Sequence, residues 1–281
     1  VMSNVRKAKH GWVLTLIFSL ISIAYIMPIV IVLMNSFKRK IFISNRPFAL
    51  PDAKSFVKIE NYINGIQKTD FFRAFGYTLF ITVGSVFVIV LCTSMCAWYI
   101  SRVKNKWTTG IYYLFAFSMI VPFQMVMFTL SKIADMLHLG NPVGIIIVYL
   151  GFGAGLAVFM FCGFVRSIPL EIEESAMIDG CNPVQTYFKI VFPIMKPTAI
   201  SVAILETMWV WNDYLLPYLV LKINKYKTIQ IAIQYLKGGY GAIDMGAMMA
   251  MIVLAIIPII LFYGFCQKYI IEGVISGAVK G

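Results

Sequence analysis

The sequence predicts an all-α membrane protein with six transmembrane helices. Three observations carry that prediction. Of 281 residues, 60% are hydrophobic and only 13% charged, against roughly 25% charged in soluble domains. The apolar residues gather into six runs, each near the ~20 residues that cross a bilayer as a helix. The remaining segments are short loops with one or two modest connections. The chain is therefore expected to be one transmembrane domain, 1–281, with no separate soluble catalytic part. Any energy source must then lie in a partner.

The first run, Gly11 to Met34, follows Arg6, Lys7 and Lys9 and so begins like a signal peptide. It is too long for the apolar stretch of such a peptide, lacks a small-x-small cleavage site, and reads as a retained span. The other runs cover about Phe75 to Ile100, Trp107 to Leu130, Val143 to Val165, Thr198 to Leu221 and Gly246 to Ile270. An even count puts both termini on one side. Charge does not say which, because basic residues divide almost evenly between the two faces. Arg102, Lys104 and Lys106 favour the cytoplasm for their loop, while Lys38, Arg39 and Lys40 pull the other way.

The net charge of +12 is spread over every loop instead of forming one patch. Lysines at span ends reach toward anionic lipid head groups, and nucleic acid is not an expected partner. The basic segment Lys38 to Arg73 is expected to be ordinary solvated charge, ahead of two alternatives, contact with an acidic rim on a partner protein or collection of an acidic saccharide. Cys92, Cys96, Cys162, Cys181 and Cys266 include no C-x-x-C pair, and four fall in apolar runs, so they read as small packing residues. His10 and His138 have no ligands at metal spacing. No metal or cofactor is expected on this chain.

One connection has its own helical grammar: the loop 168–193 between the fourth and fifth spans. Pro169 fits a first helical turn, Glu171, Glu173 and Glu174 complement the positive end of the helix dipole, and Gly180 is the expected terminator. Asn182, Pro183 and Gln185 then restart the helix, as cap, first helical residue and capping-box partner. Pro193 stops it again. Such a hairpin is a surface built to be gripped. An amphipathic hairpin resting on head groups is the alternative, but it prefers lysines on its polar face, and three acids argue against it.

The pattern Glu174, Ser175, Ala176, three residues, Gly180, nine residues, then Ile190, Val191, Phe192 and Pro193 resembles the EAA loop of permease subunits of binding-protein-dependent ABC importers. Serine replaces a common alanine at the second position. Trp211, Asn212 and Asp213 in the fifth span, Gln267, and the closing Gly277 to Gly281 resemble the carbohydrate branch, maltose-type second permease. The resemblance implies a type I ABC importer permease fold in a bacterial cell membrane. It also implies a heterodimer with a second homologous permease, two cytoplasmic ATPase subunits each holding an EAA loop, and an extracytoplasmic sugar-binding protein. The implied coupling residues are Glu174, Ser175, Ala176, Asp179, Gly180 and Pro193: Glu174 meets a basic residue in an ATPase cleft, and Gly180 lets the loop turn into it. Lys280 and Gly281 approach the ATPase, which puts both termini in the cytoplasm. The sequence has no G-x-x-x-x-G-K-[ST] phosphate loop, so ATP and Mg belong to the partner ATPase and the chain is expected to be a transport subunit, not an enzyme.

An ionised side chain at mid-bilayer costs ~2.5–3.5 kcal/mol on insertion scales and asks for a reason. Glu206 and Asp213 lie seven apart in the fifth span, on one helical face, with Trp209 between them and Asn212 beside them. Carboxylates beside an indole suit a sugar, so this stripe is a candidate lining of the translocation path. The alternatives are that Asn212 and Asp213 brace a bend before Pro217, or that Glu206 bonds across to the companion permease. Gln124 beside Pro122 is a further candidate for the path. Thr15, Ser19 and Ser22, and Thr78, Thr82 and Ser85, recur at near-helical spacing and are expected to make helix–helix hydrogen bonds of about 0.6 kcal/mol each. Gly151, Gly153 and Gly155 read as close helix packing, or as a flexible bend.

Two other functions are weaker. A membrane enzyme acting on a lipid-linked substrate needs paired acids, or an acid with histidine, near one interface. The buried acids here form one central stripe. A passive channel or secondary carrier often shows inverted repeats. None is found, and the gripping loop would have no task.

Overall fold

The computed structural model describes residues 11–236 and 243–278, with side chains as far as Tyr269. In chain order the helices are α1 Gly11–Asn35, α2 Lys40–Asn45, α3 Glu60–Thr69, α4 Phe71–Arg102, α5 Lys106–Ser118, α6 Phe123–Met136, α7 Gly144–Val165, α8 Leu170–Ile178 and α9 Pro183–Thr186. A π-helical turn, Tyr187–Val191, leads to α10 Phe192–Ile194, α11 Lys196–Asn212, α12 Leu215–Val220, α13 Ile229–Gln234 and α14 Met245–Ala278. Four of these are long and apolar enough to cross a membrane: α1, α4, α7, and α14 as far as Tyr269. Two bent pairs pass the same test only together, α5 with α6 (108°) and Pro183–Ile194 with Lys196–Asn212 (75°). Each pair taken as one span brings the count to six.

The third expected span, 107–130, is thus not one helix. Its composition is apolar throughout, but α5 ends at Ser118 and Pro122 precedes α6 with ψ 136°. Proline has no N–H to continue the ladder and disfavours helical backbone in the residue before it. At 1.5 Å per residue each half is only about 20 Å long, short of the ~30 Å hydrocarbon core. The fifth expected span, 198–221, is also interrupted: α11 stops at Asn212, and Asp213 is extended with ψ 128°.

The described residues fall into two compact units, one of residues up to Phe71 with Ile233–Ile257, the other of Phe72–Ala232 with the residues from Pro258 on. In the first unit α1 is apolar all round, and none of its most apolar window is buried, as befits a helix whose solvent is lipid. Thr15 and Ser22 donate to Gly11 O and Phe18 O of their own helix (3.0 and 2.8 Å), so they do not make the expected interhelical bonds. Lys38 also departs from expectation. It is 1% exposed, and Nζ donates to Arg46 O at 3.1 Å. Burial holds this ammonium below the usual lysine range, while Asp52 pulls it up. The segment folds around it: Asn61 Nδ2 donates to Ser36 O and Lys38 O (2.8 and 2.9 Å), and the Tyr62 and Ser36 hydroxyls lie 2.7 Å apart. At the start of α14, Asp244 caps Ala247 N (3.1 Å) and pairs with Lys68.

The second unit is built on α7. Tyr149, Ala157, Val158, Phe161, Cys162 and Val165 are fully buried along it, and it packs against α5 and α11. Gly155 gives the close approach to α5, since a β-carbon there would meet Ser118 Oγ at 2.6 Å. Thr78 does join two elements: it donates to Ala74 O (2.9 Å) and accepts from Ile229 N (2.9 Å).

Candidate functional site

The hairpin after α7 is shaped by local rules. Pro169 stands just before α8 with ψ 136°, one place earlier than a first-turn proline. Gly180 has φ +88°. Gly180 N donates to Met177 O and Cys181 N to Ala176 O, both at 3.0 Å, the paired closure of a Schellman motif. Asn182 Oδ1 then accepts from Gln185 N (2.9 Å), and Gln185 Oε1 accepts from Asn182 N (3.0 Å). This is the expected capping box, with Pro183 at the first position. Pro193 does not stop the helix as expected. It lies in α10, which continues directly from the π-helical turn, and the axis bends at Met195 instead.

The far end of α4 fixes this hairpin to the core. Glu173 is 2% exposed, and its carboxylate accepts from Trp98 Nε1 (2.9 Å), Arg102 Nε (2.9 Å) and Arg102 Nη2 (2.6 Å). Arg102 Nη2 also donates to Ile168 O at 3.0 Å. Tyr187, 1% exposed, has its hydroxyl 2.6 Å from that of Ser94, and its ring 5.5 Å from Trp98. Trp98, Tyr187 and Ser94 are not singled out by the sequence, and Glu173 and Arg102 are read there only as a helix-dipole acid and a loop cation. The available signal was Trp98 and Arg102, four apart on one face at the end of a span.

Glu174, Ser175, Asp179, Gly180 and Pro193 are exposed, whereas Ala176 is buried. Ala176 and Glu173, three apart, face the protein. Glu174 and Ser175 are left to the outside, with the Ser175 hydroxyl tied to Glu171 O (2.8 Å). Lys280 and Gly281 lie outside the described residues.

In the fifth span Asp213 has left the helix. It accepts from Leu215 N at 3.0 Å and from Tyr149 Oη at 3.0 Å, so it caps α12 and binds it to α7. The Tyr149 ring meets Trp209 edge-on at 5.3 Å. Tyr149, Trp209 and Asp213 therefore form one cluster, with Trp209 39% exposed. Asn212 is exposed and donates to Met208 O (2.7 Å), and Gln124 is exposed near the start of α6, outside this cluster. Glu206 is 3% exposed, and its Oε2 has no hydrogen-bond partner among the described residues.

Glu206 owes its place to Gly153. A β-carbon at Gly153 would stand 2.9 Å from Glu206 Oε2 and 2.7 Å from Ile89 Cδ1. Gly153→Ala is therefore expected to destabilise the purified chain by about 1–3 kcal/mol through overpacking. Adding Glu206→Ala is expected to recover part of the loss in thermal unfolding. Additive losses in the double variant would refute the contact.

These features define a multi-pass helical membrane protein with a structured, exposed hairpin anchored to its spans. Residues 89–276 match the family described as "Binding-protein-dependent transport system inner membrane component". The chain is 36% identical over 279 residues to the probable starch degradation products transport system permease protein AmyC of Thermoanaerobacterium thermosulfurigenes, covering 99% of this chain and 100% of that one. It is 31% identical over 282 residues to the multiple sugar-binding transport system permease protein MsmG of Streptococcus mutans, covering 99% and 100%. A solved bacterial ABC transporter involved in import of the acidic polysaccharide alginate has the same fold, with TM-score 0.80 at 20% identity over 96% of this chain and 99% of that chain. The chain belongs to the binding-protein-dependent transport system inner membrane component family. It is a transport subunit and not an enzyme, and its ATPase and binding protein are separate partners.

Proposed function

We propose that this chain forms half of the translocation path of an ATP-driven oligosaccharide importer and couples to its ATPase through residues 168–193. The observation that carries this reading is the hairpin itself: Glu174 and Gly180 lie exposed on a segment whose opposite face is bonded into α4. A rigid handle of this kind can pass a partner's movement into the spans. The names of AmyC, MsmG and the melibiose/raffinose/stachyose import permease MelC of Bacillus subtilis, 29% identical over 279 residues, support a sugar cargo.

In this reading a second, homologous permease completes the path as a heterodimer, and two ATPase subunits, holding ATP and Mg, grip one hairpin each. A sugar-binding protein docks on the opposite face. Both termini lie in the cytoplasm of a bacterial cell, with Lys280 and Gly281 approaching the ATPase. Uptake by the reconstituted complex is expected to require ATP and the binding protein; full-rate transport by the chain alone would overturn the proposal.

In this reading Glu206, Trp209, Asn212, Asp213 and Gln124 border the path without forming one helical stripe, since α11 ends at Asn212, and Trp209 is the aromatic among them, 39% exposed. Trp209→Ala is expected to raise the apparent KM of uptake about two- to tenfold, the worth of one aromatic contact, at normal membrane abundance. An unchanged KM removes Trp209 from the path.

A further inference from the structure

Where α4 and α7 end and α5 and α8 begin, a cavity of about 610 Å³ opens between them. It is lined by three cations, Arg102, Lys104 and Arg166, and by Tyr112 and Tyr113, and no carboxylate contributes to its wall. Arg102 is committed to Glu173. No carboxylate among the described residues pairs with Lys104 or Arg166. The Arg166 guanidinium lies over the Tyr112 ring at 4.9 Å, which holds it in the cavity wall instead of letting it trail into solvent. Two uncompensated cations in a wall that also holds two tyrosines suit a singly charged phosphodiester, because the ammonium and the guanidinium supply charge and N–H donors at once.

The surroundings say where that phosphate comes from. The cavity lies at the ends of three membrane helices, and three large aromatics beside it are turned outward: Trp107 is 84% exposed, Tyr113 65% and Tyr99 57%. Indole and phenol rings at the ends of spans sit at the head-group level of a bilayer. We infer that this cavity binds the phosphate of an anionic phospholipid head group. The lipid would touch Leu170, the first residue of α8, and so lie against the root of the hairpin. This inference rests on the membrane placement of the spans and not on the sugar cargo, and its test reads lipid binding without transport.

The complete transporter, held in phosphatidylcholine nanodiscs containing a minor fraction of phosphatidylglycerol, is expected to retain phosphatidylglycerol through native mass spectrometry. Lys104→Gln with Arg166→Gln is expected to weaken that retention about twenty-fivefold, at about fivefold for each basic residue lost. Lys189→Gln, which removes an exposed charge from the same hairpin outside the cavity, is expected to leave it unchanged. In the unmodified chain, phosphatidylglycerol with a photoreactive head group is expected to crosslink to residues 101–113 and 166–170. Equal retention by the double variant, or crosslinks confined to other segments, would overturn the site. Displacement of the lipid by millimolar inorganic phosphate would assign the cavity to soluble phosphate and overturn the lipid.

Discussion

Arg102→Ala is expected to destabilise the chain by about 3–5 kcal/mol, because it strands the buried Glu173 carboxylate. The side chains of Arg102 and Glu173 are 19% and 3% exposed, and only Trp98 would remain to bond the charge. The same change frees Ile168 O, so the root of the hairpin loses two attachments at once. Thermal unfolding of the purified chain measures the loss. Arg102→Leu combined with Glu173→Leu is expected to be more stable than Arg102→Ala alone, since removing both charges leaves no unpaired ion. A double variant as unstable as the single one would show that something other than the ion pair holds the loop.

The second large effect is expected at Gly180. Its φ of +88° is a backbone that L side chains adopt at a cost of about 1–2 kcal/mol. A β-carbon there would meet nothing within 4 Å, so the chain on its own imposes only the backbone cost. Gly180→Val is therefore expected to lower thermal stability slightly, yet to abolish ATPase co-purification and ATP-dependent uptake. Gly180→Asn is expected to retain more of both, because asparagine tolerates left-handed backbone. Glu174→Lys, at an exposed position, is expected to release the ATPase with no loss of stability. Uptake falling only in step with stability for Gly180→Val would mean that the hairpin is not the gripped surface.

Much of this molecule could be read from its sequence, and the reason is solvent. A bilayer demands long apolar runs, so α1, α4, α7 and α14 announce themselves by hydropathy alone. The Asn182, Pro183 and Gln185 capping box was equally legible, because caps depend on neighbours three residues away. What hydropathy could not show was where an apolar run breaks. The segments either side of Pro122 are equally greasy, and the bend of 108° is a matter of backbone bonding. The inward acid was hidden for a different reason. Glu173 and Glu174 are chemically alike, and only Trp98 and Arg102, 75 and 71 residues earlier in the chain, decide which one is buried. Asp213 misled for a third reason: a seven-residue spacing places it beside Glu206 only while the helix continues, and α11 ends one residue before it.

The widened turn from Tyr187 to Val191 has a geometric consequence for everything downstream. It holds one peptide more than a regular turn of the same rise. Were that surplus taken up elsewhere, the residues beyond it would swing by about 100° around their axis, with hardly any change in length. A slack of one residue beside the Tyr187–Ser94 anchor is thus a swivel, by which a tug could arrive as rotation instead of displacement.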